Sequence, residues 1–202
     1  MGKLSFSVGV FTSGLFISSV LCSASKSDPY YFGNIEKNIK TLKRSSRQAT
    51  SELSDYDKES IRQEILDAHN YYRSLHGTQS LQLINDMNSE AQSWAEKLAR
   101  NNMFMHSNTE YGENLYLGTY SDSFNGQSVV DLFYKEISDY TFGQSNPDNS
   151  STGHFTQVVW ASTLYLGVGM ALQDTNIIVV CQYDPPGNVA GQYDENVPPP
   201  SR

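Results

Sequence analysis

Three stretches of this chain carry side chains from which a reactive or binding site can be built. Gly153 to Thr163, GHFTQVVWAST, sets His154, Thr156 and Gln157 beside the apolar run Val158, Val159, Trp160. A polar cluster against a strongly β-favouring run predicts a strand with a side chain held at the edge of a packed core. A half-buried strand with an incidental histidine is the plainer alternative. The loop MFMHSNTEYGEN holds His106 and Glu113, seven residues apart. Met103, Phe104 and Met105 would bury its start and bring His106 near the core, although a His and a Glu at that spacing mean little alone. Glu136 follows Phe133 by three, which on a helix puts a carboxylate at the edge of the buried face. That position is costly unless the carboxylate is paired or reaches solvent. The chain has neither HExxH nor GxSxG, the short signatures of zinc peptidases and serine hydrolases.

The elements that must position these groups are legible in the apolar spacing. Asp57 is placed to cap a first helix whose stripe is Ile61, Ile65, Ala68, Tyr72 and Leu75, ending before Gly77. His69, on the margin of that stripe, reads as a hydrogen-bonded structural histidine, and Asn70 and Arg73 as ties to a neighbouring loop. Asn88 is placed to cap a second helix with Ala91, Trp94, Ala95 and Leu98 inside, ended by Asn101-Asn102. Asn114 to Gly118 predicts a strand and Thr119 to Gln127 a polar loop. The aromatics Tyr116, Tyr120 and Phe124 there would either line a ligand groove or anchor the loop. Ser128 and Asp131 resemble a capping box for a third helix with Val129, Phe133 and Ile137 inside. The triplet Asn149-Ser150-Ser151 is a glycosylation acceptor in an exposed loop.

Leu164 to Ala171 alternates as a strand with small residues on one face. Gln173 to Asn176 turns, and Ile177 to Cys181 is apolar throughout, as in a central strand covered on both sides. Helices early and antiparallel strands late imply an α+β domain with helices on both sides of the sheet. Residues 194–202, with Pro198-Pro199-Pro200, read as an extended tail.

Residues 1–24 read as a secretory signal peptide, with Lys3, a largely apolar run from Leu4 to Leu21, and Ser23-Ala24 for cleavage. Residues 25–58 read as a propeptide or disordered arm, with Lys43-Arg44 as a candidate processing pair. Counted from Ser45, the charge is 8 − 20 = −12, which disfavours nucleic acid and anionic membrane surfaces as partners. No later run is apolar and long enough for a transmembrane anchor. Beyond Cys22 in the presumed signal peptide, Cys181 is the remaining thiol, and its neighbours Ile177 to Val180 favour burial over an intermolecular bond.

HNYYR at His69 to Arg73, GENL at Gly112 to Leu115, GHFTQVVW at Gly153 to Trp160 and CQYDPPGN at Cys181 to Asn188 together resemble the four motifs of the CAP superfamily. Its members are the cysteine-rich secretory proteins, antigen 5 and the plant pathogenesis-related proteins. The motifs occur in the family's order, placing the domain at residues 59–193. KEISDY at Lys135 to Tyr140 and the ending QYDENVPP most resemble the fungal secreted branch, the yeast pathogen-related proteins that bind and export sterols. The resemblance implies a three-layer α-β-α sandwich with a central antiparallel sheet and a cleft holding His106, Glu113, Glu136 and His154. Two neutral imidazoles and two carboxylates suit a divalent ion, zinc or magnesium, the carboxylates ligating it or orienting the imidazoles.

The function so implied is a secreted, extracellular or cell-wall lipid-binding protein for sterols or fatty acids, with no catalytic residue and with Tyr116, Tyr120 and Phe124 at the lipid. A metal-dependent hydrolase on the same tetrad is the alternative, and an interaction protein for a cell-wall or host surface a third. A monomer is expected, with a dimer left open. Against the family pattern, in which the strand before Cys181 usually offers a cysteine near the position held by Val168, a cross-link worth about 2–5 kcal/mol is absent. The loop after GENL also looks longer than in the sterol-binding yeast proteins.

Overall fold

A computed structural model describes residues 52–145 and 151–201. The expected signal peptide, most of the arm with Lys43-Arg44, and Asn149 lie outside them. Helix α1 (Asp55–Leu75) starts earlier than Asp57 would allow. Ser54 is its cap, accepting from the Asp57 N–H at 3.3 Å while its own hydroxyl donates to the Asp57 carboxylate at 2.9 Å. Leu53 is already buried, so the fold reaches back into the stretch read as an arm ending at 58.

After strand β1 (Gln82–Leu83), helix α2 (Asn85–Asn101) begins three residues before the expected cap. Asn88 is released to another task, its side-chain oxygen accepting from the Val168 N–H of a strand at 2.8 Å. Strand β2 (Gly112–Thr119) leads to α3 (Gly126–Lys135), which runs into a 3-10 turn at Glu136–Asp139. The α3 cap is Asn125, bonded to the Ser128 N–H at 2.9 Å, and not Ser128; Asp131 instead receives the Tyr72 hydroxyl at 2.8 Å.

The stretch Gly153–Val159, expected as a strand, is helix α4. Phe155 to Trp160 are all buried, so packing from every side overrides the β preference of Val158 and Val159. Strands β3 (Tyr165–Gln173) and β4 (Asn176–Asp184) form a hairpin, followed by the short helix α5 (Tyr193–Asn196).

The sheet order is β1-β3-β4-β2. Three strands are antiparallel as expected, but β1 runs parallel to β3, so the sheet is mixed. Two residues are too few to show any alternation in the sequence, which is why β1 was not foreseen. One face carries Ile178, Val180 and Leu115 against Ala91, Ala95 and Leu98 of α2. The other carries Leu166, Val168, Met170, Val179 and Tyr183 against α1, α3 and α4. The α-β-α layering is therefore present. Val168 lies directly across from Cys181, and the thiol is fully buried, its pKa pushed up to about 12 by desolvation.

The small residues of β3 let α2 lie close. A Cβ built on Gly169 would come within 2.1 Å of the Ala91 and Gln92 backbone. The tail is not simply extended. Tyr193, Asn196 and Val197 are buried, and Tyr193 meets Trp160 edge-on at 5.1 Å. The Asn196 side chain accepts from Ser162 N–H at 3.0 Å, and Ser201 N–H donates to Leu75 O at 2.7 Å.

Candidate His/Glu cleft

Arg73 fixes the loop that follows α4. Its guanidinium is fully buried and donates to four main-chain carbonyls, Gln79 at 2.7 Å, Val158 at 3.1 Å, Trp160 at 2.8 Å and Thr163 at 2.9 Å. Burial lowers its pKa to about 10. Asn70 exchanges two hydrogen bonds with the Leu81 backbone, so the tie expected of both residues is present. His69 is structural as expected, with Nδ1 at 2.8 Å from Ile65 O and Nε2 at 2.8 Å from the Tyr183 hydroxyl.

His154, in the first turn of α4, is held by Glu136 at the end of α3. Glu136 Oε1 accepts from His154 Nδ1 at 2.7 Å, and Oε2 accepts from the main-chain N–H groups of His154 and Phe155 at 3.0 and 3.1 Å. The Phe133 ring stacks on the imidazole, centroids 4.9 Å apart. The carboxylate left at the edge of the apolar stripe is thus paired.

His106 and Glu113 form a second pair. Glu113 Oε1 accepts from His106 Nδ1 and Ser107 N–H, both at 2.9 Å. Its Oε2 accepts from the Ser107 hydroxyl at 2.5 Å and from Gln182 Nε2 at 3.4 Å. The Glu113 side chain is 5% exposed and His106 65%. Ser107 and Gln182 join the site through these bonds, and neither is marked by spacing or charge. The one amide inside an otherwise apolar strand was the available signal for Gln182.

In both pairs the carboxylate accepts from Nδ1–H, which keeps the proton on Nδ1 and leaves the Nε2 lone pair of the neutral imidazole open to a ligand. Glu113 shares a sheet face with its cross-strand neighbour Gln182, on the α2 side, whereas His154 and Glu136 belong to the opposite layer. Asn114 joins the two halves, its Nδ2 donating to His154 O at 3.1 Å. Among the described residues, no three His, Cys, Asp or Glu side chains gather around one point as a metal cage. The donor set therefore does not fit a closed four-ligand zinc site; each His/Glu pair instead presents one imidazole nitrogen that is not bonded to its carboxylate.

The three loop aromatics pack on one another. Tyr116 and Tyr120 lie 6.3 and 5.6 Å from Phe124, which is 7% exposed. Of the two roles open to them, the contacts are those of an anchor. A separate cleft of about 510 Å³ lies between α1 and the start of α3, lined by Ala68, Tyr71, Tyr72, Glu64, Asp67, Asn125 and Gln127.

The model of the cysteine-rich secretory protein (CAP) family matches residues 66–183. The chain belongs to the CAP family. It is 42% identical over 146 residues to human Golgi-associated plant pathogenesis-related protein 1, covering 69% of this chain and 93% of that protein. It is 36% identical over 149 residues to secreted protein RBT4 of Candida albicans and 37% identical over 139 residues to protein PRY2 of Saccharomyces cerevisiae. Those alignments cover 72% and 67% of this chain but 40% of each fungal protein. Among solved structures, NaASP2 with Zn2+ has a TM-score of 0.54 at 23% identity, over 74% of this chain and 90% of that one. The fold is the CAP fold, and the relatives place the chain with the secreted fungal members. No helix of the described residues is long and apolar enough to cross a membrane, and the protein is an extracellular CAP protein.

Proposed function

We propose that this CAP protein is a binding protein that carries a sterol and holds a zinc ion in its His/Glu cleft, without turning a substrate over. The observation that carries binding over hydrolysis is the use of both carboxylates as anchors. Glu136 accepts three hydrogen bonds and Glu113 four, so each is engaged in orienting an imidazole and neighbouring main-chain or side-chain groups and not in positioning a water nucleophile. The open donors are His106 Nε2 and His154 Nε2. Nitrogen donors favour zinc over magnesium, which seeks oxygen ligands. Zinc there would supply a positive charge and exchangeable water positions for a polar ligand.

For the sterol, the cleft between α1 and α3 has the volume of a small-ligand site. Tyr71, Tyr72 and Ala68 are the apolar part of its lining, and Asn125 and Gln127 suit a hydroxyl. Glu64 and Asp67 disfavour a fatty-acid carboxylate. Mass spectrometry of lipid extracted from the secreted protein tests this. Sterol as the co-purifying lipid supports the reading, and a free fatty acid or no lipid contradicts it.

A further inference from the structure

Beneath His154 runs a hydrogen-bonded chain whose direction the atoms dictate. Ile65 O can only accept, so His69 Nδ1 carries a proton and its Nε2 is the acceptor for the Tyr183 hydroxyl, 2.8 Å away. Burial pushes the His69 pKa down to about 4 and the Tyr183 pKa well up, keeping both neutral. With its proton committed to His69, the phenol oxygen accepts from Asn114 Nδ2 at 3.1 Å. The second proton of the same amide goes to His154 O at 3.1 Å. Asn114 is 2% exposed and the other two are fully buried, so no water competes for these groups.

Helix α4 has seven residues, too few to hold its own orientation. Glu136 grips its N–H groups at one end, and Asn114 grips the His154 carbonyl from the sheet. We infer that Asn114 is a positioning residue for His154, aimed by Tyr183 and His69, so that a chain beginning in the middle of α1 sets where His154 Nε2 stands in the cleft. Its consequence for zinc affinity rests on the metal reading above; the orientation of His154 does not.

The test uses the full mature chain, metal-free, with 15N-labelled histidine. In the wild type His154 shows one tautomer with a slowly exchanging Nδ1 proton. Asn114→Leu, which keeps the volume and loses both donors, is expected to accelerate that exchange severalfold, leave the His106 signals in place, and weaken zinc binding by about tenfold in calorimetry. If Asn114→Leu does not fold, Tyr183→Phe removes the group that aims the amide and is expected to shift the His154 signals in the same sense by less. Variants that fold, with reduced thermal stability but unchanged His154 exchange and zinc affinity, would overturn the inference. Altered His154 exchange in a protein that binds no zinc would uphold it and sink the metal reading instead.

Discussion

Glu136 holds His154 by both ends of its carboxylate, one oxygen on the ring Nδ1 at 2.7 Å and the other on the main-chain N–H at 3.0 Å. The same side chain therefore sets the tautomer and the start of α4. Glu136→Gln replaces one acceptor oxygen with a donor amide and cannot serve both. Zinc affinity measured by calorimetry is expected to fall about 10–100-fold, with a loss of about 1–3 kcal/mol in denaturant unfolding.

Arg73 is a buried cation whose described hydrogen bonds all go to carbonyls. Arg73→Met fills similar space and leaves four acceptors without their donor. Urea unfolding is expected to show a loss of about 3–5 kcal/mol, and a loss below about 1 kcal/mol would mean that water replaces the guanidinium.

Gly169 lets the α2 backbone rest on β3. In Gly169→Ala the new methyl meets the main chain of Ala91 and Gln92 at 2.1 Å, and no side-chain rotation relieves backbone. A destabilisation of about 3 kcal/mol or more is expected in thermal unfolding, whereas Gly77→Ala, with open space around it but φ +67, is expected to cost about 1 kcal/mol.

His69 gives the protein a pH dependence of definite sign. Its folded pKa, about 4, lies below the ordinary 6.5 because burial disfavours the cation, and burial likewise lowers His76. Below pH 6.5 the unfolded chain binds protons that the folded one does not. Stability is therefore full above pH 6.5 and falls as pH drops toward 4, with His69 contributing on the order of 3 kcal/mol. Unfolding curves at pH 7, 5.5 and 4 check this. His69→Gln should flatten the slope over that window, and an unchanged slope would remove His69 as its source.

The helices and the β3–β4 hairpin were legible because their stripes repeat over several turns or residues. The helix caps Ser54, Ile84 and Asn125 lie three, four and three residues before the expected Asp57, Asn88 and Ser128, since several polar residues close together can all cap and only the tertiary tasks of Asn88 and Asp131 decide among them. The α4 segment reads as a strand because a short helix buried from Phe155 to Val159 has no amphipathic pattern. The four residues of the cleft came from motif resemblance; spacing alone left His106 and Glu113 without meaning. His76 carries no sequence signal: its Nδ1 lies 2.6 Å from Pro198 O, in a tail that reads as extended, and its Nε2 3.0 Å from the Tyr134 hydroxyl of α3.

The most direct test of the account is equilibrium binding of radiolabelled cholesterol to the purified mature protein. Saturable uptake is expected, with competition by unlabelled sterol but not by palmitate, and weakening in Tyr72→Ala, while Glu136→Gln leaves sterol uptake unchanged. Absence of saturable uptake by a folded protein would contradict it.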